Sequence, residues 1–247
     1  MMSRVFHQCL LTVWFSFIAI AQQTSPNAKG LEGDIASALI SATGCKNLVV
    51  QLSMKGTSSN VIERLALKLE NVPIGQLVAE YMTVVYDSPV IDLKRLQKDK
   101  VLLLTSRGKP RVGIFASAAS LENYLHKKAE QFNKKNVRIR LKFTPPYVEC
   151  TYDVPKSEIA SESVDLLKKF IRGDKIEGYA AFRMDAKANA LYASSSKVIT
   201  NHFLLPNGLL HIFESKFNPF DEIVVVKPFD YTIENLTVQP KYIYMSN

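Results

Sequence analysis

A chain of 247 residues with 47% hydrophobic side chains is long enough for one large domain or two small ones, and too apolar to stay disordered. Thirty-one Lys and Arg against 23 Asp and Glu give a net charge of +8, which attracts anionic partners such as nucleic acid, acidic glycans or a charged membrane surface. No helix-turn-helix, RNA-stacking or zinc spacing is present, so nucleic acid is set aside; a basic solvated surface is the plain alternative to membrane affinity.

The N-terminus carries Arg4, then an apolar run from Cys9 to Ile18 that ends in Ala19-Ile20-Ala21. The run is shorter than a ~30 Å hydrocarbon core requires, and small residues occupy the two positions a signal peptidase inspects. Residues 1–21 therefore read as a cleaved export signal, 22–29 as a polar flexible lead and 30–247 as a single domain. Export would place the mature chain in the periplasm or extracytoplasmic envelope. Cys45 and Cys150 then remain, free to pair in an oxidising compartment or to stay as buried thiols.

The spacing of Leu31, Ile35, Ala38, Leu39 and Ala42 predicts a helix over 31–43, stopped by Gly44. The period then changes to two. Leu48, Val50, Leu52 and Met54 predict one strand, Leu65, Leu67 and Leu69 a second, and Val78 to Tyr86 a third. Turns are predicted at 57–60, 71–75 and 87–89. A loop or short helix follows from Ile91, then a strand at 101–105, a turn at 107–110 and a strand around Val112 and Ile114. Ser117 is placed to cap a helix reaching Asn133, with Leu121, Tyr124, Leu125, Ala129 and Phe132 on one face.

The clearest alternation comes next. Val137, Ile139, Leu141 and Phe143 alternate with Arg138, Arg140 and Lys142. After Pro145-Pro146, the residues Val148, Cys150, Tyr152 and Val154 alternate with Glu149, Thr151 and Asp153. A hairpin is predicted whose polar faces set basic residues opposite acidic ones. A third helix is predicted over 157–172, and strands over 176–185 and 189–195. Strands with one apolar face belong to antiparallel sheets. Two or three short helices cannot cover so much sheet, which leaves either a ligand or a second sheet from the same strands to fill the remainder.

The C-terminal third is more specific. Lys216-Phe217-Asn218-Pro219-Phe220-Asp221, then Lys227-Pro228-Phe229-Asp230-Tyr231 through Val238, then Tyr242-Ile243-Tyr244, resembles the closing signature of the bacterial LmeA-like family of exported phospholipid-binding proteins. The helix opening at 117–125 and the strands over 48–86 followed by Pro89-Val90-Ile91-Asp92-Leu93 are similar to the same family, so the likeness covers most of the mature chain. The sequence departs from the family pattern at Asp230, at Pro240-Lys241 and in extra length over 161–173. The resemblance implies a curved antiparallel sheet wrapped along a long helix, an α+β arrangement similar to tubular lipid-binding (TULIP-like) domains. It also implies an envelope role in holding or moving phospholipid, with no catalytic residues.

The residues themselves offer little enzyme chemistry. No G-x-S-x-G elbow, H-E-x-x-H motif, Walker loop or dinucleotide fingerprint occurs, and His126, His202 and His211 are scattered. No cofactor and no metal site is predicted. An apolar groove is expected at Leu121, Tyr124, Leu125, Val137, Ile139, Leu141, Phe143, Val148 and Tyr152. Lys127, Lys128, Lys134, Lys135, Arg138, Arg140 and Lys142 are expected to meet anionic headgroups, each contributing about 1 kcal/mol near a charged surface. The bland reading of these cations is a solvated face paired with Glu149 and Asp153. An apolar trough suits a carrier, because each methylene left in water costs ~0.8 kcal/mol. Two other classes stay open: an envelope scaffold that binds a protein along a sheet edge, and a hydrolase acting on lipid or glycan.

Overall fold

The computed structural model describes residues 26–55, 61–104, 109–131, 136–158, 173–204 and 224–247. Among them, eleven strands form two antiparallel sheets with three α-helices packed against them, so the fold is α+β and mostly strand.

Helix α1 (Pro26–Thr43) begins inside the stretch read as a flexible lead. Proline is favoured at a first helical position, where its missing N–H has no partner to lose. The helix stops at Gly44, which adopts φ 68° and donates its N–H to the Ile40 carbonyl at 3.0 Å. Helix α2 (Leu93–Asp99) is capped by Asp92, whose carboxylate accepts the Arg95 N–H at 3.1 Å. Helix α3 (Ala118–Gln131) is capped by Ser117 as the sequence suggests: its hydroxyl accepts the Ser120 N–H at 3.1 Å.

The first sheet contains β1 (Asn47–Met54), β2 (Ile62–Ile74), β3 (Leu77–Asp87), β4 (Arg111–Ser117), β10 (Asn235–Val238) and β11 (Tyr242–Ser246), in the order β1-β2-β3-β4-β11-β10. Period-two alternation becomes a row across the sheet. Leu48, Leu69, Met82, Ile114, Met245 and Leu236 stand in register on one face, and Val50, Leu67, Val84 and Val112 form the next row. Alternation changes phase at the unpaired positions Asn71 and Glu80. Beyond them Val72, Ile74, Leu77 and Ala79 are the buried residues. Asn71 sits at φ 53°, a conformation asparagine tolerates. The strands run through part of the predicted turn, which shortens to Gly75 and Gln76.

The second sheet contains β5 (Arg138–Thr144), β6 (Tyr147–Pro155), β7 (Lys175–Lys187), β8 (Ala190–Thr200) and β9 (Phe203–Leu204), in sequence order. The β5–β6 register puts Arg138 opposite Asp153 and Lys142 opposite Glu149, the pairing read from the sequence. The predicted strand at 101–105 reduces to one bridge between Ile91 and Leu104. The helix predicted over 157–172 lies outside the described residues, apart from a short turn at Lys156–Glu158.

Both sheets contribute to a single buried cluster. Helix α3 packs on β3, β4 and β5 and so bridges the sheets on one side. Its Glu122 carboxylate accepts the Leu141 N–H of the edge strand β5 at 2.6 Å. Glu32 of α1 does the same for Leu52 of edge strand β1 at 3.0 Å. Each carboxylate occupies an amide that would otherwise invite another strand. On the other side β10 packs on β7, and Asn189 in the β7–β8 turn ties down the segment leading into β10. The Asn189 side chain donates to the Tyr231 carbonyl at 3.1 Å and accepts the Ile233 N–H at 2.6 Å. In place of one continuous curved sheet, the strands divide between two, because β10 and β11 return to the first sheet after the second is complete.

Candidate functional site

The second sheet is covered at one end and open at the other. Its inner face forms successive rows: Phe143, Val148, Phe182 and Ser195; then Leu141, Cys150, Ala180 and Val198; then Ile139, Tyr152, Gly178 and Thr200. Val148 is fully buried and Leu141, Cys150 and Ala180 nearly so, Phe182, Ser195 and Val198 are half-buried, and every member of the third row is half-buried. Phe203 of β9 extends that row by pairing with Thr200, and it is 63% exposed. Val154 and Ile176 form the next row on this face, with Ile176 buried, so the exposed apolar edge lies at β9.

A cleft of about 1210 Å³ opens at this end, lined by Gly173, Asp174, Lys175, Glu177, Gly178, Tyr179, Ile199, Asn201, His202 and Phe203. Tyr179, Ile199 and Phe203 supply apolar wall, with polar and charged groups around them. Gly178 is fixed by its surroundings, since a Cβ there would overlap the Tyr152 ring and approach the Ile199 carbonyl oxygen to 2.6 Å. The Tyr152 hydroxyl shares a 2.6 Å hydrogen bond with the Thr200 hydroxyl beside that glycine. Burial raises the Tyr152 pKa from its ordinary value, against the opposing effect of the Thr200 bond.

These contacts sort the residues expected to form a groove. Leu121, Tyr124, Leu125, Leu141, Phe143 and Val148 are buried in the common core and packed by the protein's own side chains. Val137, Ile139 and Tyr152 remain half-buried, and Ile139 and Tyr152 lie in the row that reaches the cleft. The cleft residues Tyr179, Ile199 and Phe203 were not singled out from sequence. Their signal was weak: Val198 and Ile199 are adjacent rather than alternating, because a register shift between Ala181 and Phe182 places an extra β8 residue, Ser196, against β7. The Ser196 hydroxyl donates to the Ala181 carbonyl at 2.9 Å.

The basic residues also separate. Arg138, Arg140 and Lys142 project from the face of β5 opposite to Ile139, Leu141 and Phe143, the outer face that also carries Tyr179 and Ile199 of the cleft wall. Lys127 is exposed on α3, and the Lys128 ammonium lies 5.6 Å from the Tyr124 ring centre. Lys134 and Lys135 lie outside the described residues. Cys45 and Cys150 are buried free thiols, and burial pushes the Cys150 thiol up to about 12. Among the described residues, no group of three His, Cys, Asp or Glu is placed to hold a metal ion, and no helix is long and apolar enough to cross a membrane. No protein-family model, curated protein or solved structure matches this chain.

Proposed function

We propose that this is an exported, non-enzymatic lipid-binding protein of the envelope that takes an apolar tail at the open end of its second sheet. The observation that carries the reading is the cleft at the β7–β8–β9 end of the sheet, where Tyr179 and Ile199 of the outer face and Phe203 of the inner face supply apolar wall. The cleft volume of about 1210 Å³ lies above the roughly 300–1,000 Å³ usual for small-molecule sites, which suits a long ligand. Each methylene received there is spared ~0.8 kcal/mol of exposure to water, so a half-buried apolar row makes extraction from a bilayer less costly. A wrap of strands around a helix, as in tubular lipid-binding domains, belongs to the same proposal, with α3, which bridges the two sheets on one side, as its helix.

The scaffold reading draws support from the filled core: six of the nine residues first expected to line a groove, from Leu121 to Val148, are already packed. One experiment separates the two. Organic extraction of the purified protein followed by lipid mass spectrometry should yield a stoichiometric lipid, and Ile199→Asp with Phe203→Asp should remove it from a protein that still folds. A lipid-free wild type that also takes up no fluorescent lysophospholipid would sink the carrier reading.

A further inference from the structure

The outer face of the second sheet is the most highly charged continuous surface that the strand register defines, and it is not evenly balanced. On this face stand Arg138, Arg140 and Lys142 from β5, Lys175, Arg183 and Lys187 from β7, and Lys197 from β8. The carboxylates among them are Glu149, Asp153, Glu177 and Asp185, so seven cations face four anions. Lys175 is paired to Asp153 at 3.1 Å, and the Arg183 guanidinium lies 5.4 Å from the Tyr147 ring centre. The three Arg and Lys of β5 are all exposed and project from the free edge strand. Interleaved with the charges are Tyr147, Tyr179 and Tyr192, the last 50% exposed.

The same face ends in grease. Arg140, Thr151, Tyr179, Ile199 and Leu204 form one row in register across all five strands, and Leu204 is 64% exposed. Cations, interfacial tyrosines and an exposed aliphatic edge on one surface match an anionic bilayer: the charges meet headgroups, tyrosines sit at the headgroup level and the edge enters the acyl boundary. A flexible polyanion would use the charges but has no use for Leu204.

We infer that this face docks on anionic membrane, with β9 as the inserting edge. It deepens the lipid-binding proposal and rests on it, because Ile199 belongs to both the docking row and the cleft wall, and the cleft then opens toward the bilayer. Docking in this orientation lets a tail pass between membrane and cleft without crossing water.

The test is co-sedimentation of the purified full chain with vesicles of phosphatidylcholine alone or with 30% phosphatidylglycerol, at low and high salt. The wild type should prefer the anionic vesicles and lose binding as salt rises. Loss of two cations at about fivefold each predicts that Arg138→Glu with Arg140→Glu weakens binding by more than about twentyfold. Arg138→Lys with Arg140→Lys should retain binding, and Leu204→Ser should reduce it by about fivefold or more, in keeping with the area of one buried aliphatic side chain. Equal binding to neutral vesicles, or no loss in the Glu variant, overturns the docking inference. Loss in the Glu variant with Leu204→Ser unchanged also overturns it, in favour of adsorption by charge to any polyanion. Uptake of monomeric lysophospholipid is measured in parallel. Uptake without vesicle preference removes docking and leaves the lipid site standing, whereas vesicle binding without uptake removes the lipid site.

Discussion

The two sheets use the same alternation of apolar and polar residues, yet they hide it to different degrees. In the first, Leu65, Leu67, Leu69, Met82, Val84, Ile114, Ile243 and Met245 are all fully buried, and α1 packs along β1. In the second, Val148, Cys150 and Ala180 of β6 and β7 are buried, Phe182, Val198 and Thr200 are half-buried, and Phe203 of β9 is exposed. The difference lies in cover rather than in strand sequence. Helix α3 shields β5 near Leu141, and β10 shields β7 near the Asn189 turn; Ile139 and Tyr152 pack half-buried against the same core, whereas Phe203 stands exposed. Exposed apolar surface at Phe203 and Leu204 is a cost unless something occupies it, and among the described residues this puts the candidate site at the β9 end of the second sheet.

The sharpest way to break that contrast is to cut equivalent side chains from each sheet. Leu67→Ala in the first sheet should cost about 3 kcal/mol, because the close-packed surroundings leave a cavity. Ile139→Ala in the second should cost under about 1 kcal/mol, since its site is open to relaxation and solvent. Urea unfolding at constant m-value reads both. Equal losses would mean that the two faces are equally packed and that the second sheet has no open end.

Each sheet also has a glycine beneath a tyrosine, and the pair gives a finer test. At Gly178 an added methyl meets the Tyr152 ring and the backbone carbonyl of Ile199, which cannot swing away. At Gly113 it meets the Thr83 hydroxyl and the Tyr244 ring at 2.9 Å, with no backbone atom among the nearest three. Gly178→Ala should therefore cost about 2 kcal/mol, within the range of overpacking, and should reshape the cleft by displacing Tyr152 from Thr200. Gly113→Ala should cost about half as much and leave lipid uptake unchanged. Thermal denaturation and a lysophospholipid uptake assay decide between them, and identical uptake defects would detach the cleft from the lipid reading.

The sequence made strands, caps and hairpin register legible because each depends on neighbours within a few residues. Ser117 and Gly44 mark the ends of two helices by backbone chemistry alone, and Arg138 to Lys142 pair with Asp153 to Glu149 because the intervening turn is short. Alternation announces an apolar face but carries no information about what covers it. Leu141 and Ile139 are indistinguishable in sequence, yet Leu141 is buried in the row with Cys150 and Ala180 while Ile139, one row on, is half-buried. The division into two sheets was illegible for a similar reason. It is set by β10 and β11 returning across the chain to pair with β4, a contact between residues more than a hundred positions apart.

The Ser117 cap offers a comparison of intermediate size, because α3 is the element that holds the two sheets together on one side. Ser117→Ala removes the acceptor for the Ser120 N–H and should cost about 1 kcal/mol, whereas Ser117→Asp should restore most of it. If α3 sets how far cover extends over the second sheet, fraying its first turn should also raise lipid uptake slightly, while a change in stability alone would confine the cap to a local role.

The smallest expected effect concerns the seam opposite α3, where Tyr231 is buried and its hydroxyl oxygen accepts the Val226 N–H at 2.9 Å. Burial pushes the Tyr231 phenol up to about 12 from an ordinary value near 10, outweighing the Val226 hydrogen bond. Because the folded-state pKa is the higher one, folding favours the protonated phenol. The stability it adds is whole below about pH 10 and is lost as pH rises from 10 toward 12. Tyr231→Phe forgoes the hydrogen bond and should be less stable at pH 7 by roughly 1 kcal/mol. It should also lose stability less steeply than the wild type above pH 10, so the two curves converge. Unfolding free energies measured from pH 8 to 11.5 test this. Parallel curves would show that Tyr231 ionises equally easily in the folded and unfolded chain, and that the seam at β10 is as open as the cleft end of the second sheet.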